Sequence, residues 1–165
     1  MGIRNSAKAL IIDNSGGKIL FNKNKNSLAD MWDEFPDGVI YYDLPGGGQN
    51  QYETLREAVK RECLEELGLT LEVGRLAAIY EEIDMNEEFR RRYEPYSHKI
   101  FFVFICKVSD ETAKPATDMD LDMIGSEWID IENIKNILIY PEIIKTNIDL
   151  ILNAQNPVYL GSQRV

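Results

Sequence analysis

The sequence predicts a layered α/β sandwich folded as a single domain over residues 1–165. Three observations carry this. Alternating apolar runs of strand length recur on both sides of one long amphipathic segment, that segment has helix punctuation at both ends, and a second apolar helical pattern lies near the end of the chain. No repeat, low-complexity tract or linker divides the 165 residues, and that length suffices to bury a core.

The elements follow in order. "NSAKALIID" (5–13) alternates as a strand does, "NSGG" is a hairpin turn, and "KILFNK" is its partner strand. Residues 24–37 are polar and irregular. "VIYYDL" (39–44) reads as another strand and ends in the glycine-rich loop "PGGGQNQ". Thr54 and Glu57 then form a T-x-x-E capping box, and Gly68 stands where a left-handed C-cap is wanted, so a helix is predicted from Leu55 to Leu67. "LTLEVGRLAAIYEEI" and "SHKIFFVFICKVS" are two longer strands, separated by the charged loop "DMNEEFRRRYEPY". After an acidic loop, "DETAKPATDMDLDM", come a strand at "SEWIDI" and a short helix from Glu132. Pro141 is placed as the first residue of a last helix, with Ile143, Ile144, Ile148 and Leu150 as its buried stripe.

Composition excludes several functions. The net charge of −10 disfavours a nucleic acid polymer, which needs a basic footprint, but permits small anionic substrates where a cation supplies local positive charge. No apolar run approaches the roughly 20 residues that span a bilayer, and nothing else in the chain points to a membrane. Cys63 and Cys106 are too few for a disulfide framework or a thiolate metal site and read as reduced core residues, which suits a cytoplasmic protein. His98 is the sole histidine, so histidine-based zinc or triad chemistry has little material, and it reads as structural or as a substrate contact. "DMDLDM" superficially suggests an EF-hand, but Met123 stands where that loop needs glycine and Ile129 where it needs the closing glutamate.

The chemistry lies in "RECLEELG" (61–68). On a helical wheel Leu55, Ala58, Val59, Cys63 and Leu67 define the apolar arc. Glu62 and Glu66 fall inside that arc about 40° apart, Glu65 lies at its edge, and Glu57, Lys60 and Arg61 face outward. Unpaired carboxylates on a core face cost several kcal/mol or lose their charge. Oxygen ligands spaced i, i+3 and i+4 suit a hard divalent ion such as Mg²⁺ or Mn²⁺. The preceding "PGGG" lets backbone groups approach a ligand closely, and a P-loop is excluded because no Gly-Lys-Ser/Thr follows.

The stretch from Gly47 to Leu69 resembles a complete Nudix box, with Gly47, Glu53, Arg61, Glu62, Cys63, Glu65, Glu66, Gly68 and Leu69 all in register. The resemblance implies an α/β/α sandwich around a mixed sheet, and a Mg²⁺- or Mn²⁺-dependent hydrolase of a nucleoside diphosphate linked to another group. By that resemblance Glu62, Glu65 and Glu66 bind metal with the Gly46 carbonyl, while Arg61 pairs with Glu53 to orient the helix. Glu65 is the first candidate for the general base, and Asp118, Asp120, Asp122 and Glu127 are loop contributors, with Asp122 placed first among them by its distance from Trp128. Gly47, Lys23 and Asp122 are candidate substrate contacts, and Arg90–Arg92 are weighed against a solvated loop.

Many members carry glutamate and glycine where this chain has Asn50 and Tyr52. The segment "EEIDMNEEF" lacks the proline typical of ADP-ribose-hydrolysing members. The first substrate expectation is therefore a nucleoside triphosphate, as for MutT, with ADP-ribose or a nucleotide sugar as the alternative. A nucleotide-binding sensor without turnover is a reading of another class, which the intact glutamate set argues against. The resemblance also allows a homodimer, since many members pair.

Overall fold

The structure, a computed structural model, describes residues 2–27, 35–110, 115–120 and 122–165. Positions 28–34 of the irregular segment, and 111–114 and 121 of the acidic loop, lie outside the described residues. The hairpin forms as the alternation predicts: β1 (Arg4–Ile12) and β2 (Lys18–Lys25) turn through Asp13–Gly17, where the Asp13 carboxylate accepts from the backbone amides of Gly17 and Lys18 at 2.9 Å. The Ser15 hydroxyl, donating to the same carboxylate at 2.5 Å, is the foremost cause of an Asp13 pKa held down at about 2, and the Lys18 amide is the next. β3 is Ile40–Asp43, β4 Thr70–Ile83, β5 His98–Asp110, β6 Met123–Asp130, β7 Ile139–Tyr140 and β8 Val158–Arg164.

Among the described residues these form one mixed sheet in the order β7-β3-β2-β1-β5-β4-β8, with β6 on the other edge of β2. β1 runs parallel to β5 from Arg4↔Lys99 to Ile11↔Cys106. Its pairing with β2 is far shorter, Ile11↔Leu20 and Ile12↔Ile19 only. Beyond that point β2 pairs with β3, from Asn22↔Asp43 to Lys25↔Ile40. The sheet forks there, and the glycine-rich loop takes the vacated edge of β1: Ala7 and Ala9 donate to the carbonyls of Gly47 and Pro45 at 2.8 Å, and the Gln49 amide donates to the Asn5 carbonyl at 2.9 Å.

Helices cover both faces, as the sandwich expectation requires. α1 spans Leu55–Leu67, with the Thr54–Glu57 capping box and the left-handed Gly68 in place (φ 68°). Its Ala58, Val59 and Cys63 pack on Ala7, Ala9 and Ile11 of β1, with Leu20, Phe104 and Cys106. Both thiols are buried, and burial raises the pKa of Cys63 and pushes that of Cys106 up to about 12, so neither is a nucleophile. On the opposite face Ile144, Ile148 and Ile151 close a core with Leu10, Phe21, Ala77 and Val103.

Three local expectations change. The last helix is two, Glu142–Thr146 and Ile148–Asn153. They break at Asn147, whose side-chain amide takes the Ile143 carbonyl at 2.9 Å. Pro141 is the N-cap and not the first helical residue, and Ile151 is buried in place of Leu150, which is 49% exposed. The charged loop after β4 contains α2 (Glu87–Arg92), capped by the Asn86 side chain and held by buried Phe89. The helix expected from Glu132 is a 3₁₀ turn over Ile131–Asn136. No helix of the described residues is long and apolar enough to cross a membrane.

The capping box sets where α1 begins, and so which carboxylates face the fork. Thr54→Ala should destabilise the protein by about 1 kcal/mol, read from urea denaturation. An unchanged midpoint would show that packing alone sets the start of the helix.

Candidate active site

The fork explains how a buried glutamate is tolerated. Glu66 is 4% exposed. Its Oε2 accepts from Asn22 Nδ2 of β2 and from the Gly46 amide of the loop, both at 3.0 Å. It therefore joins the helix, one arm of the fork and the segment filling it. Burial nonetheless pushes its pKa up to about 7, against a partial lowering by Lys8. Beside it Asn22 Oδ1 is buried with no hydrogen-bond partner.

Arg61 corrects the wheel. Its guanidinium turns along the helix instead of outward, and its side chain is only 27% exposed. Nε and Nη2 clasp both Glu53 oxygens at 2.8 and 3.0 Å, and Nη2 also donates to the Gly48 carbonyl at 2.9 Å. Nη1 reaches Glu62 at 2.8 Å and Glu65 at 3.0 Å. The hydrogen bonds that Arg61 donates to Glu53 foremost raise the Arg61 pKa, and they in turn lower that of Glu53. A wheel places Cα directions. A side chain as long as arginine goes where acceptors are.

A cavity of about 210 Å³ opens on the face of the sheet away from the body of α1. Strand alternation builds it: Arg4, Ser6 and Lys8 from β1, and Lys99, Phe101 and Val103 from β5, with Tyr41 and Asp43 from β3. Gly46, Gly47, Glu62 and Glu66 form its box side, and Phe35, Tyr96 and Tyr140 add aromatic wall. Gly46 is required by contact with backbone, and Gly47 leaves room for a box carboxylate. A Cβ on Gly46, whose φ is 115°, would meet the Ala7 carbonyl oxygen at 2.2 Å, and one on Gly47 would lie 2.6 Å from the Glu62 carboxylate. Across the cavity Lys99 and Glu82 form a buried pair at 2.6 Å, and Lys99 donates to the Tyr140 hydroxyl at 2.9 Å.

The other sequence candidates divide. Asp120 lines the cavity, whereas Asp122 does not: its carboxylate accepts from the Ser27 amide at 3.3 Å and from the Ser27 hydroxyl. Lys23 also lies outside the lining, tied to Glu127 at 2.7 Å, and Glu127 accepts from the Tyr42 hydroxyl at 3.0 Å. His98 pairs with Glu81 at 2.9 Å. Arg92 pairs with Glu88 at 3.7 Å, and all three of Arg90–Arg92 are exposed. Glu65 is the most open of the box carboxylates at 35%, and its carbonyl accepts from the Thr117 and Asp118 amides, docking the acidic loop on the end of α1. Sequence reasoning missed Lys8, Asp43 and Asn22. The signal available was polar residues at alternate positions in otherwise apolar strands.

The carboxylates are oxygen donors of the kind a hard divalent ion takes, and the orphaned Asn22 oxygen and the Cβ-free Gly46–Gly47 cradle adjoin them. In the arrangement described, Glu62 and Glu65 are turned to Arg61, and no group of three or more acidic, histidine or cysteine side chains among the described residues converges as a metal site. The set fits such an ion by donor chemistry, and binding one would take side-chain rotation away from Arg61.

The NUDIX domain family model matches residues 3–146. The chain belongs to the Nudix hydrolase family. Among solved structures, the Nudix fold here is similar to a NUDIX hydrolase from Nitrosomonas europaea, at TM-score 0.65 and 18% identity, covering 90% of this chain and 87% of that one. It is similar to a MutT protein from Methanosarcina mazei Go1 at TM-score 0.61 and 23% identity, covering 90% and 92%. An ADP-ribose pyrophosphatase from Streptococcus suis 89-1591 matches at TM-score 0.61 and 16% identity, covering 96% and 99%. No curated protein matches the sequence significantly.

Within the Nudix box, Tyr52 stands apart. Among the described residues it is the one non-glycine with positive φ, at 68°, and it is 98% exposed. This is a backbone conformation suited to the glycine that many Nudix members carry there. Tyr52→Gly should stabilise the protein by roughly 0.5–1 kcal/mol, the relieved strain exceeding the added freedom of the unfolded chain. A lower urea midpoint would show that the exposed ring makes a contact outweighing its strain.

Glu66 sets a pH dependence. Its carboxyl ionises at about 7 when folded and near 4.5 when unfolded, so the fold holds an extra proton between those values. The metal-free protein should therefore lose stability as pH rises from about 4.5 to about 7. Glu66→Gln has no such proton and should exceed the wild type at pH above about 7 by up to about 3 kcal/mol, with little difference near pH 4.5. Parallel stability–pH curves measured in EDTA would refute the assignment.

Proposed function

We propose that this Nudix hydrolase cleaves a pyrophosphate bond in a small-molecule nucleoside diphosphate derivative, with a nucleoside triphosphate as the first substrate to test. The observation that carries the reading is one cavity that has Glu62 and Glu66 at one side and aromatic residues among the rest of its wall. Carboxylates suit the phosphate end through a cation, and Phe35, Tyr41 and Tyr140 suit a planar base. Likeness of fold does not choose between substrates, because the MutT protein and the ADP-ribose pyrophosphatase match equally at TM-score 0.61. The preference for a triphosphate rests on the segment after the box, which lacks the proline of ADP-ribose-hydrolysing members.

Glu62, Glu65 and Glu66, with the Gly46 carbonyl, would hold Mg²⁺ or Mn²⁺, which when bound neutralises phosphate oxygens and makes a water easier to deprotonate. Arg61 positions this set, since one guanidinium contacts Glu53, Glu62, Glu65 and Gly48. Water attacks one phosphorus of the pyrophosphate and the Glu65 carboxylate takes its proton, while the bridging P–O bond breaks and the other phosphate group leaves with the bridging oxygen. Glu65 is suited to this by exposure, at 35% against 18% for Glu62.

Glu66→Gln should lower turnover by a factor of about 10² or more while the fold survives. The test is a panel of nucleoside triphosphates, oxidised purine nucleotides, ADP-ribose, nucleotide sugars and dinucleoside polyphosphates, with Mg²⁺ or Mn²⁺ and released phosphate counted. Turnover of none of them would overturn the hydrolase reading. Wild-type rates for Glu66→Gln at saturating Mg²⁺ would overturn the role of Glu66.

A further inference from the structure

β1 lies inside the sheet, bonded to β5 along one edge and to the glycine loop along the other. Such a strand is ordinarily apolar on both faces. Lys8 breaks that rule. It shares a face with Leu10, which is fully buried, and its own side chain is only 14% exposed. Burial by itself lowers its pKa, but the carboxylates of Asp43, Glu66 and Asp120 outweigh that effect and favour the ammonium. Its Nζ donates to the Gly46 carbonyl and to Asp43 Oδ2, the latter at 3.4 Å.

The position of that ammonium matters because of what surrounds it. The Gly46 carbonyl is the backbone oxygen that the box resemblance assigns to a divalent cation. The amide of the same residue is held by Glu66 at 3.0 Å. One glycine is thus fixed by a box carboxylate on its nitrogen and by an internal cation on its oxygen. An ammonium and a divalent ion repel strongly when both lie against one oxygen in a poorly solvated site. Lysine suits such a handover, having a compact charge on a flexible stem with three donors. Once displaced, it remains in the lining of the same cavity.

We propose that Lys8 is a resident counter-cation of the glycine-rich loop, holding the Gly46 carbonyl and Asp43 in the metal-free protein and yielding that carbonyl when a divalent cation binds. Lys8 is a positioning residue in this scheme. It keeps the loop shaped in the absence of metal and sets the metal's apparent affinity. The proposal rests on the reading of the box as a cation site, and the experiment separates the two.

Mn²⁺ binding to the nucleotide-free protein is measured by electron paramagnetic resonance for the wild type, Lys8→Met and the double variant Lys8→Met/Asp43→Asn. Lys8→Met should bind Mn²⁺ roughly fivefold or more tightly than the wild type. The double variant removes one charge of each sign, so the local net charge is unchanged, and it should still bind more tightly. In the wild type the Gly46 carbonyl ¹³C resonance should also shift when diamagnetic Mg²⁺ replaces the ammonium. Equal or weaker Mn²⁺ binding by Lys8→Met overturns the proposal. Tightening in Lys8→Met that vanishes in the double variant overturns it too, since Lys8 would then act only through its field. Absence of Mn²⁺ binding in the wild type overturns both the cation site and the proposal.

Discussion

The parting of β1 from β2 after two residue pairs is the constraint on which the site depends. Strands that separate leave backbone donors and acceptors facing nothing, and buried groups of that kind must be paired. The chain meets this requirement by laying Pro45–Gln49 along β1, with hydrogen bonds from Ala7, Ala9 and Gln49. At Gly46 only a residue without a side chain can lie so close: the space for a Cβ there is already occupied by the Ala7 carbonyl. The loop is glycine-rich because of the fork, and the fork gives the carboxylates of α1 access to the far face of the sheet.

Charge at the site is arranged by pairing across elements. Glu66 is held by β2 and the loop, Arg61 by Glu53, Glu62, Glu65 and Gly48, and Lys8 by Asp43 and the loop carbonyl. A chain of net charge −10 thereby keeps two partly buried cations, Lys8 and Arg61, beside its box carboxylates. Such pairs add little net stability once desolvation is counted, but removing one partner leaves a buried charge exposed to its full cost. The site is therefore rigid in the sense that few single changes are neutral.

Much of the architecture was legible from local rules. The limits of α1 follow from Thr54, Glu57 and Gly68, because caps act within one turn and need no tertiary partner. The hairpin and the long strands follow from alternation. α2 was equally readable, with Asn86 as cap, acidic residues in its first turn and arginines in its last, but the density of charge masked it. The break at Asn147 and the short β8 were not readable, since one depends on a side chain choosing a backbone carbonyl and the other on an open edge of β4.

What the sequence by itself determined is the box: its spacing places glutamates on the core face of a helix next to a glycine loop, and local geometry is enough to show that this face must meet something other than core. What only the tertiary structure decided is which polar groups from distant strands meet it. Asn22, Asp43 and Lys8 gather around Glu66 and Gly46 because β2, paired there with β3, diverges from β1, and strand pairing between segments far apart in the chain leaves no trace in local periodicity. Arg61 shows the same division in a single residue. The wheel gives its Cα direction, and the acceptors gathered by folding decide where its guanidinium goes.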